Sequence, residues 1–133
     1  MAKNPLVLKS YNIVACDIDA NAVSKCRSHQ HGPKVRWQVG DFLKSRRPYG
    51  TDPVICLGGP PYTSGIGSRK MSRNLPQLFL DHCLKEWRSD FVAFFVPKRY
   101  AKQTLRIPDG WVCSTQDLQS STFYFQGKVK VTQ

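Results

Sequence analysis

The sequence has no long apolar run. No stretch approaches the roughly 18 consecutive apolar residues that a membrane-spanning helix needs, and the Met1-Ala2-Lys3 start does not lead into the apolar segment of a secretory signal. We therefore expect a soluble intracellular protein, in the cytoplasm or the nucleus, with no membrane partner. The chain has 133 residues, 41% of them apolar, which is enough for one core. We expect a single domain over residues 1–133.

Cysteines are few and irregularly spaced. None of the 5 forms a Cys-x-x-Cys pair or lies at a zinc-ligand interval from a histidine. The odd number and wide spacing predict neither a disulfide framework nor a metal centre. We expect small buried side chains, most of them on strands or helix faces. The cysteines are Cys16, Cys26, Cys56, Cys83 and Cys113.

Acidic residues are scarce. Asp and Glu number 9 against 20 Lys and Arg, so the formal charge is +11. Two stretches have no acidic residue, between Asp52 and Asp81 and between Asp90 and Asp109, and both hold cations near a tyrosine. Cations that contact phosphates and rings that stack on bases predict a nucleic-acid partner, RNA or DNA. A solubilising surface is the alternative. The candidate nucleic-acid-binding residues are Arg69, Lys70, Arg73, Lys98 and Arg99.

Short apolar runs alternate with helical patterns. This order predicts an α/β fold with a largely parallel sheet, closed by two antiparallel strands. The predicted strands are 11–16, 35–39, 53–57, 91–96, 111–118 and 122–131, and the predicted helices run from Asp19 or Ala20 to the turn at 31–33 and from 75 to 87.

Two aspartates follow successive predicted strands. Ligands of such sheets bind outside the carboxyl ends of the strands. Asp17 is placed to accept both hydroxyls of a ribose, because a carboxylate can accept two hydrogen bonds at once. Asp41 is placed to accept from the exocyclic amine of adenine, with the Phe42 ring against the face of the base. A helix cap or turn former is the alternative for either aspartate.

A diproline follows the third predicted strand and two glycines. Pro60-Pro61-Tyr62 predicts a rigid, extended backbone, because each proline fixes its φ angle. A carbonyl there can accept from an amino group, and the Tyr62 ring can stack on a flat base. A purely structural turn is the alternative.

In these strings the chain resembles the class I S-adenosylmethionine-dependent methyltransferases. The likeness is strongest to the amino-methyltransferases, which carry Asn/Asp/Ser-Pro-Pro-Tyr/Phe after the fourth strand, and it runs from about Ile13 to Val131. It implies a Rossmann-like three-layer fold, mostly parallel, with a C-terminal antiparallel hairpin. It also implies S-adenosylmethionine as the cofactor. The implied cofactor-binding residues are Asp17, Ile18, Asp41 and Phe42, and the implied catalytic residues are Gly59, Pro60, Pro61 and Tyr62.

The resemblance implies methyl transfer to an exocyclic amine of a nucleic-acid base, N6 of adenine foremost. Tyr62 would stack on the target base, and the Pro60 carbonyl region would orient its amine. Two alternatives stay open. One is a non-catalytic, degenerate methyltransferase fold that binds nucleic acid or a protein partner, and the other is a methyltransferase of protein glutamine amides.

The chain departs from the family's pattern at two places. No glycine precedes Gly32, whereas the family has a glycine-rich turn after its first strand. We therefore expect a shortened form that lacks the first strand and helix, its sheet completed by direct pairing, by Pro5–Leu8, or by a partner chain or second copy. Gly59 stands where the family has Asn, Asp or Ser, and the lost acceptor predicts reduced or absent activity.

Overall fold

The computed structural model describes residues 11–29, 35–50, 52–61, 74–98, 105–118, 122–125 and 128–131. These residues form a small mixed α/β structure with two helices and short strand pairs. The elements in chain order are β1 (Ile13–Asp17), α1 (Ala20–Ser28), β2 (Val35–Val39), a 3-10 turn (Phe42–Lys44), β3 (Ile55–Gly58), α2 (Leu75–Lys85), β4 (Phe91–Phe94), β5 (Thr122–Phe125) and β6 (Lys128–Val131).

The described strands pair two by two. β1 and β2 are parallel, in a register from Ile13 opposite Val35 to Asp17 opposite Val39. β3 pairs with β4, and the Asp90 N–H donates to the Val54 carbonyl at 2.8 Å at the start of this pair. The Phe95 N–H donates to the Gly58 carbonyl at 2.9 Å at its end, so both strands run in the same direction. A mixture of helices and short parallel strand pairs confirms the coarser part of the predicted α/β class, whereas the single, largely parallel three-layer sheet stays a prediction.

The predicted C-terminal hairpin lies elsewhere than expected. Residues 111–118 form no strand, so the prediction of a strand there is wrong. The Trp111 N–H closes a turn onto the Pro108 carbonyl at 3.2 Å, and Val112 is 96% exposed. Without a neighbouring strand among the described residues, this segment cannot form a ladder. The antiparallel hairpin instead lies within 122–131, where β5 pairs with β6.

Two compact units are distinguished within the chain. The first comprises Met1–Leu57 and Leu78–Ala93, and the second comprises Gly58–Gln77 and Phe94–Gln133. Val23 on α1 and Cys83 on α2 are 2% and 1% exposed, Leu80 is also buried, and all three belong to the first unit. The hairpin β5–β6 belongs to the second.

Helix α1 begins and ends on local hydrogen bonds. The Asp19 carboxylate accepts from the backbone N–H groups of Asn21 and Ala22, which satisfies donors that the first helical turn leaves open. The helix ends at Ser28, before the predicted turn at 31–33, because the His29 backbone leaves the helical region at φ −102° and ψ 13°. Lys25 and Arg27 in the last turn suit the negative end of the helix dipole.

A left-handed residue follows helix α2. The helix ends where the N–H groups of Glu86 and Trp87 both donate to the His82 carbonyl, at 3.0 and 3.1 Å. Arg88 beyond it has φ 45°, and the Ser89 N–H turns back to donate to the Cys83 carbonyl at 3.0 Å. The Arg47 guanidinium covers the same end, because it donates to the carbonyls of Trp87 at 3.2 Å and of Arg88 at 3.3 Å. In the described part of the chain, no helix is long and apolar enough to cross a membrane.

The cysteines differ from the expectation of general burial. Cys83 is buried, and Cys16 and Cys56 are half-buried. Cys26 and Cys113 are exposed, so for these two the prediction is wrong. α1 buries only Val23, which leaves Cys26 on its solvent side, and Cys113 lies in the segment that forms no strand.

Candidate functional site

The parallel pair β1–β2 brings two predicted site residues to one edge. Asp17 ends β1 opposite Val39, the last residue of β2. The Gly40 N–H continues the ladder by donating to the Asp17 carbonyl at 2.9 Å, and Asp41 follows directly. Since both strands run in the same direction, their carboxyl ends lie side by side. The sequence-based expectation that Asp17 and Asp41 share an edge agrees with this arrangement.

Each of these carboxylates also supports its own loop. Asp17 Oδ1 accepts from the Asp19 N–H at 2.9 Å, and Asp41 Oδ1 accepts from the Leu43 N–H at 3.0 Å and caps the 3-10 turn. These are the turn and cap roles that the sequence left open as the alternative. Within the described ranges, Oδ2 of each aspartate has no hydrogen bond, so one oxygen per carboxylate is available to a ligand.

The pKa of the Cys16 thiol reflects the negative charge at this edge. Its thiol donates to the Gly40 carbonyl at 3.3 Å. Burial, and then the negative charges of Asp17 and Asp41, raise the pKa of the Cys16 thiol. The edge is therefore locally negative although the whole chain is basic. It favours ligand groups that donate hydrogen bonds, such as hydroxyls and amines, and disfavours phosphates.

Ile18 and Phe42 flank the two aspartates differently. The Ile18 side chain is 75% exposed beside Asp17 and offers apolar surface to a ligand. The Phe42 ring packs into an aromatic cluster, stacked on Phe79 with centroids 5.3 Å apart and edge-on to His82 at 4.9 Å. It also stacks on Trp87 at 6.2 Å. Phe42 thus has a packing role, and its stacking on adenine stays a prediction.

Polar contacts hold the aromatic cluster together. Trp87 Nε1 donates to Ser45 Oγ at 2.9 Å, and His82 Nε2 donates to the Ser45 carbonyl at 2.9 Å. The Ser45 hydroxyl donates to the Phe42 carbonyl at 2.5 Å. Sequence reasoning missed this cluster, because its partners are 37 and 42 residues apart and form no local motif.

A shallow open groove lies along α2. Its volume is about 290 Å³. It is lined by Leu43, Leu78, Asp81, His82, Lys85 and Glu86. No residue predicted for a functional site lines it. Among the described side chains, no cluster of three or more His, Cys, Asp or Glu could hold a metal ion.

The diproline motif is described as far as Pro61. Pro60 is buried, whereas Gly59 and Pro61 are exposed. A Cβ atom added at Gly59 would meet only the Phe95 carbonyl oxygen, at 3.7 Å, which is an ordinary contact. The space beside Gly59 therefore accepts a side chain. Tyr62, the predicted stacking ring, lies outside the described residues.

Of the predicted nucleic-acid-binding residues, the described part of the chain includes only Lys98. Its ammonium pairs with Asp117 Oδ2 at 3.0 Å, and the two side chains are 67% and 54% exposed. Such an exposed pair contributes about 0–1 kcal/mol, so a phosphate can displace the carboxylate. Arg69, Lys70, Arg73 and Arg99 lie outside the described residues.

Comparison of the chain with protein-family models, with curated proteins and with solved structures found no match.

Proposed function

We propose that the chain is a Rossmann-like S-adenosylmethionine-dependent methyltransferase domain. The proposed methyl acceptor is an exocyclic amine of a nucleic-acid base, N6 of adenine foremost. The observation that carries the proposal is the pair of aspartates, Asp17 and Asp41, at the shared carboxyl edge of two parallel strands. Nucleoside ligands of α/β sheets bind at such edges.

The edge fits the adenosine part of the cofactor. A ribose diol and an adenine amine both donate hydrogen bonds, and each aspartate keeps an oxygen without a partner among the described residues. Asp17 would accept from the ribose hydroxyls and Asp41 from the amine. The exposed Ile18 side chain would cover apolar surface of the ligand.

The proposed chemistry needs positioning more than reactive side chains. When bound, S-adenosylmethionine supplies a methyl group on a sulfonium centre. Carbonyls of Gly59, Pro60 and Pro61 would orient the acceptor amine, and Tyr62 would hold its base by stacking. Basic side chains would hold the flanking phosphates. These are Arg69, Lys70, Arg73, Lys98 and Arg99.

Isothermal titration with S-adenosylmethionine and with its demethylated product tests the cofactor assignment. Asp17→Asn and Asp41→Asn remove the charge but retain an oxygen that can accept the Asp19 and Leu43 N–H groups, because Asn caps about as well as Asp. We expect binding heat for the natural chain and its loss in both variants. Asp109→Asn, at an acid that belongs neither to the β1–β2 pair nor to the loops that follow these strands, is the matched control and retains binding. Absence of heat with the natural chain removes the cofactor assignment.

A screen with methyl-labelled cofactor against RNA, DNA and protein pools tests the acceptor class. We expect label in nucleic acid, in adenine. Label only in protein favours the glutamine-amide alternative. Digestion of labelled nucleic acid to nucleosides identifies the modified base.

A second candidate is a non-catalytic module that binds nucleic acid, and Gly59 favours it. Glycine has no side chain to accept from the target amine, and the open space beside it means that packing does not demand glycine there. This module would bind nucleic acid in a salt-sensitive way without cofactor, and binding would survive Tyr62→Phe. Gly59→Asn distinguishes the two functions: an enzyme short of one acceptor gains methyl transfer in the variant, whereas a binding module gains none.

A further inference from the structure

Two thiols meet between β3 and α2, away from the proposed cofactor edge. Cys56 lies on β3 and Cys83 on α2, and both contact Ser89, whose hydroxyl reaches the Cys83 carbonyl at 2.9 Å. The Ser89 hydroxyl, which follows α2, lies 2.9 Å from the Cys56 sulfur. Cys83 is 1% exposed, whereas Cys56 is half-buried. Cys56 is therefore the more accessible of the two thiols to a small reagent.

The Ser89 hydroxyl can donate a hydrogen bond to a Cys56 thiolate. In the structure it donates to the Cys83 carbonyl at 2.9 Å. That carbonyl also accepts from the Ser89 backbone N–H at 3.0 Å. The hydroxyl proton can consequently turn to the Cys56 sulfur without leaving a buried carbonyl unpaired.

The two thiols titrate in opposite directions. A hydrogen bond from Cys83 lowers the pKa of Cys56 to about 7, against the opposing effect of burial and with a further contribution from Ser89. The same bond, together with burial, raises the pKa of Cys83. Near neutral pH, Cys56 is thus the nucleophile and Cys83 the proton donor.

We propose that Cys56 and Cys83 are a site of reversible oxidation by hydrogen peroxide, in which Cys56 is the attacking thiol and Cys83 the resolving one. The Cys56 thiolate attacks a peroxide oxygen, so that an S–O bond forms, the O–O bond breaks and hydroxide leaves with the electron pair. The Cys83 sulfur then attacks the sulfenic sulfur. An S–S bond forms, the S–O bond breaks, and water leaves with the Cys83 proton.

The other cysteines provide an internal comparison. Cys26 and Cys113 are exposed and are more accessible than Cys56. Accessibility alone therefore predicts that they oxidise first, whereas the proposed site predicts that Cys56 does. The bond formed would join β3 to α2 and is independent of the proposed methyltransferase activity.

The test is peroxide treatment of the full chain followed by alkylation, proteolysis and mass spectrometry. We expect a Cys56–Cys83 disulfide that dithiothreitol reverses, with Cys26 and Cys113 still reduced. The pH profile of Cys56 alkylation has its midpoint near 7, against about 8.5 for an ordinary thiol. In Cys83→Ser, a hydroxyl still donates to Cys56 but cannot resolve, so sulfenic acid accumulates on Cys56 and is trapped by dimedone. In Cys83→Ala the donor is lost, and the midpoint rises.

The proposal is overturned if peroxide oxidises Cys26 and Cys113 while Cys56 and Cys83 stay reduced. It is equally overturned if Cys56 oxidises but never pairs with Cys83 in the natural chain. Identification of the oxidised cysteines in the natural chain tests the proposal even where a Cys83 variant does not fold. Cys26→Ser, at an exposed position, is the control substitution and leaves the Cys56–Cys83 product unchanged.

Discussion

Replacing Phe42 by alanine removes the ring around which Phe79, His82 and Trp87 pack. Truncation of a fully buried phenylalanine costs about 3–5 kcal/mol. Phe42 is half-buried, which lowers the packing part to about 2 kcal/mol, and loss of the aromatic contacts adds about 1 kcal/mol. We therefore expect the free energy of unfolding to fall by about 3 kcal/mol and the melting temperature by about 10 °C.

Urea denaturation followed by tryptophan fluorescence measures this loss, because Trp87 belongs to the cluster. Phe91→Ala is the matched control: Phe91 is 56% exposed, so its removal costs less than about 1 kcal/mol. If Phe42→Ala destabilises no more than Phe91→Ala, the packing role is refuted. Retained stability with loss of S-adenosylmethionine binding would instead assign Phe42 to the adenine.

Three further predictions concern the end of α2 and the thiol pair. Arg88→Gly relieves a left-handed backbone at φ 45° and raises the free energy of unfolding by about 0.5–1 kcal/mol in urea denaturation; an unchanged midpoint would contradict the strain assigned to Arg88. Arg47→Lys loses one of two donor nitrogens, because Nη1 reaches the carbonyls of Trp87 and Arg88 and Nη2 reaches that of Asp52; we expect stability to fall by about 1–2 kcal/mol, whereas Arg46→Lys at the neighbouring exposed position, the control, changes it by less than about 0.5 kcal/mol. The folded-state pKa of Cys56 is depressed from 9.0 to about 7, so its stabilising contribution is present above pH 9 and is lost as the pH falls through 7. The stability of the natural chain relative to Cys56→Ser therefore rises between pH 7 and 9 in urea titrations, and a flat difference would refute the shift.

The order of the elements could be predicted from the sequence because each depends on local patterns. The Asp19 cap marked the start of α1, and short apolar runs ending in Asp or Gly marked β1, β2 and β3. The strand predicted over 111–118 does not form, because strand formation depends on a non-local partner. A segment becomes a strand only when a partner supplies hydrogen bonds, and local sequence does not identify partners.

The sequence by itself determined that Asp17 and Asp41 lie at one edge. Parallel strands end at a common edge, and each of these aspartates follows the apolar residues of its strand. Only the tertiary structure decided that Phe42 packs against α2, that Arg47 donates to carbonyls beyond the end of this helix and that Cys56 and Cys83 share Ser89 as a partner. These contacts join residues far apart in the chain. Their geometry depends on how a helix packs on a strand pair, which no periodicity or spacing along the sequence encodes.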